Sequence, residues 1–316
     1  MSKEVLASPS EETKNTEYPG GTVEYSVLGA SSDKSPVIIV PGFTESRFVL
    51  RDFAETLHEQ SGREVIFPDQ PVFGKKTKLS ALDHHAEALL SIIGFERLSK
   101  HPVDFITHSF GSLVAARAAE LAKERSITSF DSEKGSHTVF IAPAGSNNKE
   151  SLLYLGGRWL KFIQREANPT PLFSSLTKEL DPTGEMLKAG QKNANANMAK
   201  TIEEVLVLVQ KERIYKNLGD LGLRPFVFAY AKDVLVPHKV IKTVLEENAD
   251  RLAGYAVPID SGGVGADSFQ DFKAKTGLFG KEANKAWAHH YRNAGHNDLL
   301  FHPERTVKAV LQVLEQ

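Results

Sequence analysis

Three residues able to act as nucleophile, base and orienting acid stand at separate but similarly built places in this chain. Ser109 is the centre of Thr107-His108-Ser109-Phe110-Gly111, between an apolar run and a helical pattern. His296 lies in Asn293-Ala294-Gly295-His296-Asn297-Asp298, and Asp233 in Ala231-Lys232-Asp233-Val234-Leu235-Val236-Pro237. A serine hydroxyl needs a base to take its proton, and that base needs a carboxylate to fix its tautomer. Together the three could attack a carbonyl carbon, hold the acyl group covalently and release it to water. Asp260 also precedes His296 and is a second candidate for the acid.

Such a reaction places negative charge on the carbonyl oxygen, and backbone N–H groups must be waiting for it. The N–H of Phe110, at the start of the helix after Ser109, is one candidate. The other is the N–H of Phe43, in Pro41-Gly42-Phe43-Thr44-Glu45-Ser46, where Gly42 lets the backbone turn in closely. The remaining histidines read otherwise. His108 is expected to pack under the serine turn. His84 and His85 fall on a predicted surface helix, and His289 and His290 on opposite sides of a predicted strand. Neither pair has partners at metal-ligand spacing, so neither a metal nor a cofactor is expected. Gly262-Gly263-Val264-Gly265 lacks the Lys-Ser/Thr of a phosphate-binding loop and the strand-to-helix setting of a dinucleotide fingerprint, and reads as a turn.

The elements that must position these groups are strands and helices in alternation. Strands are predicted at Thr22–Leu28, Val37–Val40, Glu64–Phe67, Val103–Ile106, Thr138–Ala142, Pro225–Tyr230, Tyr255–Ile259 and Ala286–Arg292. Helices are predicted at Phe48–His58, Leu79–Leu98, Lys239–Leu252 and Pro303–Leu314, and another begins at Leu113. Alternation of this kind makes an α/β protein with a mostly parallel sheet covered by helices on both faces. Ser109, Asp233 and His296 each fall just past the carboxyl end of a strand, the edge of an open parallel sheet where sites form. The turn at Ser109 is sharp enough that Thr107 and Gly111 must be small.

Between 145 and 222 the alternation stops. Helical stretches appear at Leu152–Arg165, Thr183–Gln191 and Ile202–Ile214, with Tyr154, Trp159, Phe162 and Phe173 among them. This segment reads as a helical cap inserted between core strands. The expected organisation is a flexible tail over 1–21, a core over 22–144 and 223–316, the cap over 145–222, and an extra insertion over 261–286.

Composition narrows the class. The chain has 316 residues, a formal charge of −2 and no cysteine. The near-neutral balance argues against nucleic acid as a partner. The absence of cysteine excludes disulfides and thiolate metal sites. No stretch has the length of an apolar membrane span, and the polar first 21 residues do not read as a signal peptide. Cytoplasm is the default location. Oligomeric state is not legible.

The chain resembles the α/β-hydrolase superfamily, in layout most like capped esterases and members similar to monoacylglycerol lipases or lysophospholipases. The resemblance rests on Pro41-Gly42-Phe43, Thr107-His108-Ser109-Phe110-Gly111, Asp233 with Leu235-Val236-Pro237, and Gly295-His296, and covers roughly residues 22 to 316. It implies the α/β-hydrolase fold with an inserted cap, and a catalytic triad of Ser109, Asp233 and His296 in the order such hydrolases use. It also implies an oxyanion hole from Phe43 and Phe110. The implied activity is hydrolysis of a carboxylic ester of an apolar, acyl or lipid-like substrate through an acyl-enzyme on Ser109. The same triad serves thioesterases, carbon–carbon bond hydrolases, amidases and acyltransferases, and the fold also hosts low-turnover binding homologues. The chain departs from the family in Pro41 where His is frequent, in Thr107 where Gly is usual, and in a long separation of Asp233 from His296. Asp233 is preferred to Asp260 because it follows the stronger strand and carries the family's Val-Pro continuation.

Overall fold

The computed structural model describes residues 10–30, 32–43, 45–73, 78–144, 218–230, 233, 254–256, 299 and 303–315. His296, Asp260, the expected insertion over 261–286 and the expected strand Ala286–Arg292 lie outside the described residues, as does the expected cap up to residue 217.

The core grows from short apolar runs. β3 (Val37–Val40) is apolar and buried at all four positions, as a strand covered on both faces must be. β4 (Val65–Pro68), β6 (Asp104–His108) and β7 (Thr138–Ile141) are likewise buried throughout. With β8 (Phe226–Phe228) and β9 (Gly254–Ala256) they form a parallel array in the order β4-β3-β6-β7-β8-β9. β1 (Glu11–Tyr18), β2 (Gly21–Leu28) and β5 (Val72–Phe73) complete a nine-stranded sheet of the described residues on its antiparallel side.

α1 (Arg47–Ser61) and α4 (Pro303–Leu314) pack together, as do α2 (Ala81–Phe95) and α3 (Gly111–Glu124). Ser80 caps α2 by accepting the Asp83 N–H at 3.1 Å, which satisfies one of the donors a helix start leaves open. Helix α3 is rich in alanine, which favours the helix and lets it lie close against the sheet.

Three expectations are corrected. Residues 11–18 do not belong to a flexible tail. They form β1, paired with β2 along its whole length from Glu11↔Leu28 to Tyr18↔Gly21. The run is polar because most of it faces water, and only Thr16 and Tyr18 turn inward. The same strand explains the second correction. His84 and His85 are buried, not on a surface helix, because β1 and α3 both pack on α2. The Tyr18 hydroxyl lies 3.1 Å from His84 Nδ1.

The expected cap also ends too late. Leu218–Gly222 sit against the carboxyl end of α3: Lys123 Nζ donates to Asp220 O at 2.6 Å, and Ser132 N–H donates to Gly222 O at 3.0 Å. That is the sheet edge opposite Ser109. A chain that pairs β8 parallel to β7 has to return to that edge before β8 begins.

The acidic residue at the head of β6 is satisfied there too. Asp104 receives the Arg63 guanidinium on one oxygen and the His137 N–H at 2.8 Å on the other. Arg63 also donates to Leu314 O at 2.8 Å, which ties α4 to the sheet. A buried carboxylate kept in this way avoids the cost of an unpaired charge.

Candidate active site

The sheet brings the Ser109 turn beside the loop after β3. β3 and β6 are parallel neighbours, with Val40 opposite Thr107. From β3 the chain goes to β4 on one side and later to β6 on the other. The carboxyl ends of β3 and β6 therefore flank a reversal of strand order, the crevice where open α/β sheets bind ligands.

Ser109 itself is held in a strained conformation, with φ of 49°. A non-glycine residue there costs about 1–3 kcal/mol and persists only where its surroundings fix it. They do so here. Ser109 N–H donates to Ile141 O at 2.9 Å, and Ser109 O accepts from Ser112 N–H at 3.2 Å and Ala144 N–H at 3.0 Å. The turn is thus anchored to β7 and to the first turn of α3, and Ser109 remains partly exposed.

Both flanking positions are crowded. A Cβ on Gly111 would stand 2.3 Å from Val40 O and 2.7 Å from Pro41 O, so only glycine fits against the end of β3. Thr107 is fully buried, and its hydroxyl and that of Ser112 hydrogen-bond at 2.8 Å. That bond gives the hydroxyl of Thr107 a partner in a place where glycine would have none to satisfy. Ala142, at the end of β7, also adopts positive φ, at 45°, and donates to Phe228 O at 2.7 Å. No local motif marks Ala142, and the sequence reading missed it.

Phe43 and Phe110, the expected oxyanion donors, meet across the crevice, their rings edge to face at 6.5 Å. Among the described residues no backbone carbonyl accepts the Phe110 N–H. His85 on α2 packs edge to face on the Phe110 ring at 5.3 Å and supports it from behind. Asp233 follows β8 at the same sheet edge. It is buried, and its N–H donates to Tyr230 O at 3.1 Å. Tyr230 in turn meets the Thr306 hydroxyl of α4 at 3.1 Å. Ser109, Phe43, Phe110 and Asp233 thus stand at the carboxyl edge of the parallel strands, while His296 lies outside the described residues.

A buried polar cluster beneath the loop was not anticipated. Glu45 accepts the Gly42 N–H at 2.5 Å through Oε2, and its Oε1 meets His108 Nδ1. Gln70 Nε2 donates to Gly42 O at 2.9 Å and to Glu45 O at 2.7 Å. His108 does pack under the serine turn, as expected, fully buried. Beside Gln70, burial pushes the Asp69 carboxyl up, against the opposing pull of the Gln70 N–H and the Arg47 guanidinium. Among the described residues no group of three His, Asp or Glu side chains is placed to hold a metal ion.

A mostly parallel sheet with its strand reversal at the Ser109 turn is an open α/β arrangement. This chain belongs to the alpha/beta hydrolase family, whose profile matches residues 37–309. Solved structures of the same fold include a putative lipase from Acinetobacter baumannii, 17% identical with TM-score 0.60 over 96% of this chain and 91% of the other. A bromoperoxidase from Bacillus anthracis is 15% identical, with TM-score 0.57 over 96% of this chain and 100% of its own. A thermophilic esterase from Thermogutta terrifontis is 14% identical, with TM-score 0.54 over 96% and 98%. At these identities the likeness is one of fold. No curated protein sequence matches. Among the described residues no helix is long and apolar enough to cross a membrane.

Proposed function

We propose that the protein is a serine hydrolase that cleaves carboxylic esters of apolar substrates. The observation that carries this reading is Ser109 at φ 49°, raised at the apex between β6 and α3 beside the Gly42–Phe43 loop. Storing strain at one partly exposed serine makes sense if its hydroxyl must face a substrate. In this reading Ser109 Oγ attacks the ester carbonyl while His296 takes the hydroxyl proton. Asp233 orients His296 and balances the imidazolium that forms. The N–H groups of Phe43 and Phe110 receive the oxyanion, with the amino end of α3 favouring the negative charge. His296 returns the proton to the departing alcohol, leaving an acyl group on Ser109. Water, deprotonated by the same imidazole, then releases the acid and restores the hydroxyl.

The segment from residue 145 is proposed to cap this site. The support is where it starts: Ala144 N–H donates to Ser109 O, which puts the residue before the segment beside the serine. Its tyrosine, tryptophan and phenylalanine residues suit an apolar acyl pocket. The test is turnover of p-nitrophenyl esters of increasing chain length by the full chain and by Ser109→Ala. Activity that rises with an apolar acyl chain and is lost in the variant supports the reading. Absence of ester turnover across the panel, or equal turnover by the variant, would overturn it.

A further inference from the structure

Glu45 has no part in the chemistry above, yet it is buried at the centre of the site's supporting layer. Its two oxygens face two different elements. One accepts the Gly42 N–H in the loop after β3, and the other accepts from His108 Nδ1, on the residue immediately before Ser109. A carboxylate oxygen is an acceptor, so the Gly42 N–H and His108 Nδ1 are each matched to one oxygen of Glu45. The local turn does not need this side chain, because Glu45 N–H already closes it on Gly42 O at 3.3 Å. Gln70 adds bonds to Gly42 O and to the backbone carbonyl of Glu45 from the β4 side. Gly42 is shaped to the arrangement: a Cβ there would stand 2.9 Å from the Glu45 carboxylate. A buried carboxylate is costly unless it is fully bonded, and here its bonds join the two segments that would hold the nucleophile and an oxyanion donor.

We propose that Glu45 is a positioning residue. Through Gly42 it sets the direction of the adjoining Phe43 N–H, and through His108 it fixes that donor relative to Ser109. The proposal rests on the serine hydrolase reading above. An oxyanion donor acts in the transition state and contributes little to ground-state binding, so its misplacement lowers kcat and leaves KM nearly unchanged. A role in folding alone would change neither constant for the folded fraction.

The test uses the full chain with p-nitrophenyl butyrate and a fluorophosphonate. Glu45→Gln keeps the side-chain volume but offers one acceptor to two donors. We expect kcat to fall about 10-fold with KM within about twofold, and phosphonylation of Ser109 to slow by a similar factor. Glu45→Leu removes both acceptors and is expected to lose about 100-fold. If Glu45→Leu does not fold, Glu45→Gln decides alone. Wild-type kcat in Glu45→Gln, or a loss carried by KM, overturns the proposal while leaving the hydrolase reading intact. Failure of the unmodified protein to react at Ser109 overturns that reading, and this inference falls with it.

Discussion

Replacing Gly111 with alanine tests whether the serine turn is wedged against β3. The added Cβ would stand 2.3 Å from Val40 O, 2.7 Å from Pro41 O and 3.0 Å from Val40 C. Ordinary contact begins at 3.4 Å, so the first turn of α3 and the end of β3 would have to part by about 1 Å. The obstructing atoms are backbone, held in register by Val40↔Thr107, and cannot swing aside as a flexible side chain could. Overfilling a close-packed site by one methyl group costs about 1–3 kcal/mol, and this geometry points to the upper end. The displacement falls on both sides of the proposed reaction centre, Ser109 on one and Gly42–Phe43 on the other. A misplacement of about 1 Å can lower turnover about 100-fold. Urea unfolding and ester turnover at saturating substrate measure the two effects. We expect Gly111→Ala to lower the unfolding midpoint and to reduce kcat by one to two orders of magnitude, on the order of the misplacement effect. A variant with wild-type midpoint and wild-type kcat would refute the close approach and the coupling drawn from it.

Three further outcomes are expected. Asp233→Asn should lower kcat by several orders of magnitude, about 10⁴ on the serine-protease precedent, while Asp260→Asn should do little. The reverse ranking would move the acid to Asp260. An imidazole base should make kcat/KM rise with pH through an apparent value near the ordinary ~6.5, and a flat profile between about pH 5 and 9 would contradict it. The last concerns stability. Burial alone would push the Asp83 carboxyl up, but hydrogen bonds from the Arg117 guanidinium and Ser80 hydroxyl outweigh it and hold it below its ordinary value of 3.8. A depressed folded value means stability that is present above the unfolded value and lost as pH falls through the folded one. Asp83→Asn should therefore unfold at lower urea than the unmodified protein at pH 7, with the gap narrowing as pH falls below 3.8. A gap of constant size would show that the Asp83 charge is not what stabilises the start of α2.

The sequence was most informative where the physics is local. Thr107-His108-Ser109-Phe110-Gly111 announces its turn by small residues at fixed spacing about the serine, and the structure places strand, strained serine and helix there, although the crowding at Gly111 comes from Val40 and Pro41 at the distant end of β3. The apolar run of β3 is equally plain, since burial on both faces leaves no polar positions to confuse the pattern. What was missed depends on distant parts of the chain. β1 has a polar sequence because one face and one edge meet water, so its pairing with β2 leaves little trace in hydropathy. His84 reads as a surface residue because nothing in the sequence marks β1, whose Tyr18 covers it, and His85 because its contact with Phe110 joins distant parts of the chain. The Glu45–His108 contact joins two elements far apart in the chain, and no local spacing rule connects them. The boundary expected at 222 is not legible because the sequence of Leu218–Gly222 carries no strand or helix signal, while its contacts with the end of α3 and the Asp131 turn come from distant parts of the chain.

The central claim is that Ser109 is the nucleophile, and peptide mapping after reaction with a fluorophosphonate tests it most directly. The account predicts one covalent adduct, on the peptide carrying Ser109, and none in a folded Ser109→Ala variant. An adduct on a different serine, or a Ser109→Ala variant that reacts at the wild-type rate, would contradict it.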